Sequence, residues 1–380
     1  MRIAMISYYL PSQDKIGSGY QAHYMANALA RRGHSVTLFA PVPKPTDALY
    51  TVQNVPVGKT NRIFRFARNL AKIDFSSFDI LHAHGDDYYL FTHQNPPHIR
   101  TMHGSCLAET LHVPGLKEKL RMFMLGLSEL LAVRAADKTV AVSTNTIRSY
   151  PWIKKMIPNG VDTSAFYPCE DPMQQEAPAS DSQNRISKIE TRKSEAPTIL
   201  FVGTYHNRKR GKLLVEAFTK TIRPALPSAK LWMVCSDVPA PIPDGVEMLG
   251  KLSTPDLADR YRRAWAFCLP SSYEGFGVPY IEAMASGTPV VATPNPGSTE
   301  VLAEGKYGLL TNDDQLGQTL LNLLQSPEQL AHFRAAGLER SQTYAWNNIA
   351  AQYESLYAEL ISKKSKLENQ KSKISLTAES

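Results

Sequence analysis

The sequence of 380 residues has few cysteines, no long apolar run and no N-x-Ser/Thr glycosylation signal. Its four cysteines, at positions 106, 169, 235 and 268, are scattered and lack the spacing of a zinc site or of a disulfide framework. No apolar run approaches the roughly 20 residues that cross a bilayer, and the start, MRIAMISYYLPS, lacks the pattern of a signal peptide. These absences argue against a disulfide scaffold and an integral membrane protein, and they predict a reducing, cytoplasmic setting.

The charge of the chain is unevenly distributed. The formal net charge is +7, yet residues 1–168 hold 19 Lys and Arg against 11 Asp and Glu, a net of +8, which leaves −1 for the remainder. This excess of cations predicts an anionic partner for the first half of the chain.

Short apolar strands alternate with amphipathic helices in both halves, which predicts an α/β fold with parallel sheets. The first series starts at RIAMISYYL and the second at TILFVG. We therefore predict two Rossmann-like, doubly wound domains that face a cleft. The predicted segments are an N-terminal domain at 1–168, a disordered linker at 169–195, a second domain at 196–345, a helix packing back toward the first domain at 346–362, and a disordered basic tail at 363–380.

The stretch EGFGVPYIEAMASGTPVV, at 274–291, predicts a glycine turn, a helix and a strand, and a short buried strand precedes it. The backbone N–H groups of Phe276, Gly277 and Val278 would then lie at the N-terminus of the helix, where anions bind. Glu282 has two interpretations. It accepts hydrogen bonds from sugar hydroxyls, or it is a first-turn acid that the helix dipole favours.

Other motifs are less specific. GSGYQA, at 17–22, fits the loosest form of a dinucleotide fingerprint, but the second strand has no acid for a ribose, so we favour an ordinary glycine-rich helix start. His82 and His84 lie on one face of a strand without an evident third ligand, and the pair at 86–87 lacks D-x-D spacing, so we predict no metal. His103 ends a strand, where a structural role and a role in the cleft are both open.

Arg208, Lys209 and Arg210 lie in the loop between a strand and a helix. Three adjacent cations at a helix N-terminus are unfavourable unless an anion is bound nearby. The loop is therefore interpreted either as a solvated basic surface or as a diphosphate site.

Two basic amphipathic segments occur in the first half, GKTNRIFRFARNLAKI at 58–73 and LKEKLRMFMLGLSELLAVR at 116–134. In one interpretation Phe64, Phe66 and Leu70 belong to the core and the cations form a solvated face. In the other, the segments lie on an anionic membrane surface.

Together these motifs resemble the family-4 retaining glycosyltransferases of the GT-B fold. The stretch from Glu274 to Glu282 resembles their E-x7-E element, IPNGVDTSAFYP their interdomain segment, and ILFVG with RGKLLVEAF the start of their nucleotide-binding domain. TMHG and GSGYQAHYMANALARRGHSVTLF are similar to the pattern of their first domain. The resemblance covers nearly the whole chain except 169–195 and the tail.

The resemblance implies a role for each site residue. Glu274 would lie beside the transferred sugar, His103 would reach that sugar from the first domain, and Glu282 would hold the ribose hydroxyls of the donor. The other implied donor-binding residues are Phe276, Gly277, Val278, Lys209, Arg208, Gly203, Thr204, Gly17 and Gly19. In this chain Thr204 replaces the usual arginine of the family, and Arg210 falls where a later lysine falls, so Arg210 is predicted to be the catalytic cation.

The implied activity is metal-independent, retaining transfer of a hexose-type sugar from a nucleotide diphosphate sugar, UDP- or GDP-linked, to a glycan or lipid-linked acceptor. No cofactor and no nucleic-acid partner is implied. Front-side attack is the implied default, because no nucleophile is evident. A nucleotide-sugar epimerase of the same fold and a non-catalytic nucleotide-sugar-binding protein remain alternatives.

Overall fold

The chain divides into two compact units in the computed structural model. The first unit contains Met1–Gly160 and the C-terminal segment that starts at Trp346, and the second is Val161–Ala345. Apart from residues 169 and 194, the predicted linker at 169–195 lies outside the described residues. The structure describes residues 1–11, 17–90, 96–110, 113, 115–169, 194, 196–237 and 241–378.

A sheet of parallel strands forms the centre of the first unit. Its strands are β1 (Arg2–Ile6), β2 (Ser35–Ala40), β3 (Thr51–Asn54), β4 (Ile80–Ala83), β5 (His98–Met102), β6 (Lys138–Ala141) and β7 (Lys155–Met156). Their order is β3-β2-β1-β4-β5-β6-β7, so the strand order reverses at β1 as in a doubly wound fold. The helices between them are α1 (Gly17–Arg31), α2 (Arg62–Leu70), α3 (Cys106–Glu109), α4 (Leu116–Ala135) and α5 (Thr144–Ser149).

Both faces of this sheet are buried. Successive residues of a strand point to opposite sides, so the residues of β1 divide between two hydrophobic clusters. In β1, Ile3 and Met5 pack in one hydrophobic cluster with residues of α1 and of the C-terminal helix. Ala4 and Ile6 pack in another cluster with residues of α2. Burial on both faces explains why β1 is a continuous apolar run rather than an alternating one.

The second unit repeats this architecture. Its strands are β8 (Thr198–Val202), β9 (Lys230–Val234), β10 (Val246–Met248), β11 (Ala266–Leu269), β12 (Val290–Ala292) and β13 (Leu309–Leu310), in the parallel order β10-β9-β8-β11-β12-β13. Its helices are α6 (Gly211–Ala217), α7 (Arg223–Ala225), α8 (Thr254–Arg263), α9 (Val278–Ala285), α10 (Pro296–Val301), α11 (Leu316–Leu324) and α12 (Pro327–Gln342). The two parallel sheets confirm the predicted fold class.

The boundary between the units differs from the predicted end of the first domain at residue 168. Gly160 exchanges two hydrogen bonds with the Gln21 side chain in the first unit, at 3.0 and 3.2 Å. The Val161 N–H donates to the Tyr344 carbonyl oxygen at 2.8 Å in the second unit. The segment at 161–168 therefore belongs to the second unit, because its backbone and side chains pack there.

One long helix, α13 (Trp346–Ala378), follows the second unit in sequence and belongs to the first unit. Its first half contributes to the hydrophobic core of that unit through Ile349, Tyr353 and Tyr357. The predicted end of the helix at 362 and the predicted disorder of the tail are wrong for residues 363–378, which continue the helix. This segment contains no glycine or proline and is rich in strong helix formers, so nothing in it stops helix propagation.

Candidate functional site

The E-x7-E stretch forms the loop after β11 and the helix α9. Gly277 precedes α9 with a φ of 97°, a left-handed conformation that glycine adopts without steric cost. The N–H groups of Phe276, Gly277 and Val278 therefore stand at the start of the helix, where no intrahelical acceptor is available to them. This end of α9 follows the carboxyl end of β11, the edge at which open parallel sheets bind ligands.

Glu274 is buried in this loop beside two cations. Its side chain is 7% exposed, and its Oε1 lies 2.7 Å from Lys209 Nζ and 3.0 Å from Arg208 Nη1. Burial raises the pKa of the Glu274 carboxyl, but the charges of Lys209 and Arg208 outweigh burial and hold the pKa below its ordinary value. Glu274 is therefore ionised at neutral pH, and two ion pairs fix its orientation.

The basic loop that carries these cations is tied to the loop of Glu274. Arg208 Nη1 donates to the Tyr273 carbonyl oxygen at 2.9 Å, and the Ser272 N–H donates to the Arg208 carbonyl oxygen at 2.8 Å. Asn207 and Arg210 have left-handed φ values of 59° and 53°. Such a backbone changes direction within a few residues, so adjacent side chains of the loop reach different partners.

Arg210 binds the segments that follow two strands. Its Nε donates to the Pro270 carbonyl oxygen at 2.6 Å, just after β11, and its Nη2 donates to Thr293 Oγ1 at 3.0 Å, just after β12. Its Nη1 forms an ion pair with Asp313 Oδ2 at 2.6 Å. These contacts explain Arg210 as a structural clamp, and its role as the catalytic cation stays a prediction.

Lys209 has the least exposed side chain of the three cations in this loop. Burial lowers the pKa of its ammonium, and the charges of Glu274 and Glu282 act in the opposite direction. Gly203 leaves room for the side chain, because a Cβ at that position would lie 3.1 Å from Lys209 Cβ. Thr204 is exposed, and its hydroxyl donates to the His206 carbonyl oxygen at 2.9 Å.

Glu282 is the fifth residue of α9, and its carboxylate is oriented by a buried tyrosine. Tyr261 donates its hydroxyl to Glu282 Oε2 at 3.2 Å. Burial raises the pKa of Tyr261 well above its ordinary value, so the hydroxyl remains a donor. The first turn of α9 contains no acidic residue, and the dipole effect falls off beyond that turn. The position of Glu282 therefore does not fit the dipole interpretation, and its role toward the ribose hydroxyls stays a prediction.

Gly297, in the first turn of α10, is a residue of this site that the sequence motifs do not reveal. A Cβ at position 297 would lie 2.6 Å from the Phe276 carbonyl oxygen and 2.8 Å from Glu274 Cβ. The helix start is built by Asn295, whose side chain accepts from the Ser298 N–H at 3.0 Å. The Asn-Pro-Gly sequence signals a helix start, but only the tertiary structure shows that its glycine lets α10 approach the Glu274 loop.

The histidines noted in the first unit form one stack. The ring centroids of His82 and His84 are 4.5 Å apart, and those of His84 and His103 are 5.2 Å apart. His84 Nδ1 and His103 Nε2 are joined by a 2.9 Å hydrogen bond. At the other end, His82 contacts the hydroxyls of Tyr357 at 2.6 Å and Thr101 at 2.7 Å. His103 is therefore the end of a structural row rather than an isolated side chain.

Burial keeps these imidazoles neutral. It lowers the pKa of His82 to about 3 and that of His103 to about 4, and it lowers the pKa of His84 well below its ordinary value. A neutral imidazole has one N–H donor and one acceptor nitrogen. His103 can thus serve as a hydrogen-bonding group at neutral pH, but not as a cation.

The free energy of unfolding is expected to fall as the pH drops from 6.5 toward 4. The folded-state pKa of His82 and His103 lies below the ordinary value of 6.5, so the unfolded chain binds more protons in this range. This stability is fully present above pH 6.5, and each histidine adds a slope of about 1.4 kcal/mol per pH unit. Burial raises the pKa of Asp86 to about 6, so below pH 6 this carboxyl binds a proton more readily in the folded than in the unfolded chain. The resulting gain in stability offsets the slope of one histidine.

Urea unfolding at pH 7, 6 and 5 measures this dependence. The variant His103→Asn removes one titrating imidazole and should flatten the slope. An unchanged free energy of unfolding between pH 7 and pH 5 would show that these histidines are not held neutral by the fold.

The glycines of GSGYQA lie at the start of α1, which begins at Gly17. A Cβ at Gly19 would lie 2.8 Å from the Tyr9 backbone carbon, whereas Gly17 has open space around it. Close packing on the segment after β1 therefore accounts for Gly19. Residues 12–16, which precede the helix, lie outside the described residues, and a role of these glycines toward phosphate stays a prediction.

The acidic pair at 86–87 includes one fully buried carboxylate, that of Asp87. Asp87 forms an ion pair with Arg100, and its Oδ2 lies 3.0 Å from Nε2 of His98, whose pKa burial lowers to about 4. This makes Asp87 part of the internal charge network of the first unit. In the part of the chain that the structure describes, no three His, Cys, Asp or Glu side chains are grouped so that they could hold a metal ion.

Two family profiles match the chain, one after the other. The profile described as "Glycosyltransferase Family 4" matches residues 17–165, and the profile described as "Glycosyl transferases group 1" matches residues 196–326. Between them, the two matches cover more than half of the chain.

Full-length relatives and solved structures agree with these profiles. The phosphatidyl-myo-inositol mannosyltransferase of Mycolicibacterium smegmatis is 25% identical over 388 residues, 94% of this chain and 93% of the relative. Sucrose-phosphate synthase from Thermosynechococcus elongatus superposes with a TM-score of 0.74 at 22% identity, covering 95% of this chain and 99% of that structure. HepE from Anabaena, solved in complex with UDP-glucose, gives 0.69 at 16% identity, with 96% and 100% covered. The chain belongs to the family-4 glycosyltransferases and has their GT-B fold.

Proposed function

We propose that this glycosyltransferase moves a hexose-type sugar from a nucleotide diphosphate sugar to a glycan or lipid-linked acceptor, with retention of configuration and without a metal ion. The observation that carries the proposal is the buried Glu274 carboxylate, paired with Lys209 and Arg208 at the start of α9. A carboxylate, two cations and the N–H groups at the start of a helix suit the junction between a sugar and a diphosphate.

Three sets of groups in the second unit bind different parts of the donor. Glu282, oriented by Tyr261, accepts hydrogen bonds from the ribose hydroxyls. Lys209 and Arg208 carry two positive charges against the single negative charge of Glu274, which leaves an excess that favours a diphosphate. The N–H groups at the start of α9 add to this attraction. Fixed cations and N–H groups thus take the role that a bound metal has in other transferases.

In the proposed step, an acceptor hydroxyl oxygen bonds to the anomeric carbon while the bond from that carbon to the phosphate oxygen breaks. The electron pair leaves with the diphosphate, and the hydroxyl proton passes to the departing oxygen on the same face of the sugar. Lys209 and the helix N–H groups stabilise the negative charge that grows on the leaving group. We assign no protein nucleophile, and contact of His103 with the sugar stays a prediction.

The names of relatives support the donor and acceptor classes. HepE was solved with UDP-glucose, which supports a UDP-linked donor, with GDP as the second candidate. The mycobacterial relative is named as a mannosyltransferase acting on phosphatidyl-myo-inositol, which supports an acceptor that carries a lipid. The positive charge of the first half of this chain suits an anionic acceptor of that kind.

A thermal-shift comparison of UDP, GDP and ADP tests the donor class. The correct nucleotide at 100 times its Kd should stabilise the protein by about 2.7 kcal/mol, whereas the other two should act only at higher concentration. Equal shifts with all three nucleotides, or none, would contradict a base-selective donor site.

Transfer itself is tested with a labelled donor sugar and a candidate acceptor in the presence of EDTA. The expected product keeps the anomeric configuration of the donor, as read by the anomeric coupling in the NMR spectrum. Release of a free epimer would identify an epimerase, and tight nucleotide binding without turnover would identify a binding protein. Either result would overturn the proposal.

A further inference from the structure

Helix α4 exposes an apolar stripe on the surface of the first unit. The exposed fraction is 83% for Leu116 and 61% for Leu120. At about 100° per residue, the apolar members lie within about 100° of one another around the helix. We call this set the exposed stripe, and its members are Leu116, Leu120, Phe123, Met124, Leu127 and Leu131.

The opposite face of α4 is also apolar, but it is buried. Met122, Leu125 and Ala132 pack in a hydrophobic cluster with Ile63 and Ala67 of α2. A surface helix that packs on one face normally presents polar side chains on the other. An apolar stripe of this size on an exposed face marks a surface that another molecule covers.

The charges beside the stripe are positive. Lys117 and Lys119 are exposed on either side of it. The two acidic residues of α4 are engaged elsewhere. Glu118 forms an ion pair with Arg121 on the same helix. Glu129 accepts hydrogen bonds from the Cys106 N–H at 3.0 Å and from the Tyr150 hydroxyl at 2.9 Å.

Helix α2 packs against the buried face of α4, opposite the exposed stripe. Its apolar residues Phe66 and Leu70 are fully buried in the core, so α2 itself has no apolar face for a membrane. Its Arg62, Arg65 and Arg68 are exposed. The two basic amphipathic segments of the first half therefore differ, since α4 keeps an exposed apolar face and α2 does not.

We propose that the exposed stripe of α4 docks on an anionic lipid surface. Leucine, phenylalanine and methionine side chains would enter the boundary between head groups and acyl chains, while the flanking Lys117 and Lys119 bind anionic head groups. Charge complementarity selects lipid over a second copy of this chain, because two such cationic rims would repel each other. The docking is peripheral, since no helix in the described ranges is both long and apolar enough to cross a bilayer.

Co-sedimentation with vesicles tests the proposal on the full chain. The wild-type protein should sediment with vesicles of phosphatidylcholine and phosphatidylglycerol at low salt, and much less with phosphatidylcholine alone. The double variant Leu120→Gln/Leu127→Gln should lose most of this binding, about tenfold or more in the partition coefficient. Lys117→Gln/Lys119→Gln should weaken binding by about fivefold for each lysine removed.

A matched control makes the same change at exposed apolar residues away from α4. Leu49 is 56% exposed and Ile242 is 48% exposed, so Leu49→Gln/Ile242→Gln removes comparable surface and should bind like the wild type. Circular dichroism melting checks that all variants fold. Because vesicle binding is read without donor or acceptor, the result is independent of the proposed transfer reaction.

Three outcomes would overturn the proposal. One is equal sedimentation with anionic and neutral vesicles. Another is wild-type binding by a folded Leu120→Gln/Leu127→Gln variant. The third is a wild-type dimer in size-exclusion chromatography that the stripe variant converts to a monomer without any change in vesicle binding, which would assign the stripe to a second copy of the chain.

Discussion

Alanine in place of Lys209 is expected to lower kcat by roughly 10²–10³-fold, with a much smaller change in the KM for the donor. The Lys209 ammonium lies 2.7 Å from Glu274 Oε1, and only 15% of its side chain is exposed, so its charge is held beside the loop that precedes α9. The charge that it opposes grows on the diphosphate as the sugar departs, and an interaction that strengthens in the transition state acts on kcat. Initial rates with the donor identified by thermal shift measure the effect.

The conservative variant separates charge from position. Lys209→Arg keeps a cation beside Glu274 and should recover part of the lost rate. Arg210→Ala is the matched control, because it removes a neighbouring cation whose guanidinium binds Pro270, Thr293 and Asp313. Arg210→Ala should lower the melting temperature, while its kcat should fall much less than that of Lys209→Ala. If Arg210→Ala loses 10²-fold in kcat while Lys209→Ala turns over at the wild-type rate, Arg210 is the catalytic cation, as the sequence predicts, and Lys209 is not.

The variant Glu282→Ala should weaken nucleotide binding by roughly 10- to 150-fold, which corresponds to about 1.5–3 kcal/mol for a hydrogen bond to a charged group. The carboxylate is held by the Tyr261 hydroxyl at 3.2 Å, beyond the first turn of α9. Isothermal titration with the preferred nucleotide gives the affinity. A base-independent loss is expected, because every nucleotide presents the same ribose hydroxyls.

Two further variants distinguish a nucleotide-binding role of Glu282 from a structural role in α9. Glu282→Gln keeps the shape and one acceptor oxygen and should lose less affinity than Glu282→Ala. Tyr261→Phe leaves the carboxylate in place without its buried donor and should have an intermediate effect. Nucleotide affinity that stays at the wild-type value in Glu282→Ala, with a lowered melting temperature, would return Glu282 to a purely structural role.

Much of the site could be predicted from the sequence, because its parts are local. The strand, glycine turn and helix around Glu274 and Glu282 occupy one short stretch, and each has its own sequence signal. Gly277 shows this, since its φ of 97° requires the residue type that occurs there. The shared face of His82 and His84 is likewise predictable, because alternate residues of a strand point to the same side.

Other features depend on more than a local pattern. The polar, basic composition of the C-terminal segment predicts disorder, yet the helix continues to Ala378 because the segment up to that residue lacks any helix breaker. Gly297 has an ordinary sequence context, and its closeness to Phe276 exists only because α10 packs on the loop after β11. No local pattern reports such an approach.

By itself, the sequence determined the alternation of strands and helices, the turn between the two glutamates and the excess of cations in the first half. These follow from backbone preferences, apolar periodicity and charge, which act within a few residues. The tertiary structure decided which acidic side chain each cation of the basic loop contacts. In the loop of Arg208, Lys209 and Arg210, left-handed backbone at Asn207 and Arg210 sends neighbouring side chains to Glu274 and to Asp313.

The tertiary structure also decided which amphipathic helix has a free apolar face. Periodicity shows that a helix has an apolar side, but not whether another element covers it. The core takes Phe66 and Leu70 of α2, whereas Leu116 and Leu120 of α4 remain exposed because the helix already packs through its other face. Burial is a property of the assembled fold, so sequence periodicity alone could not distinguish these two helices.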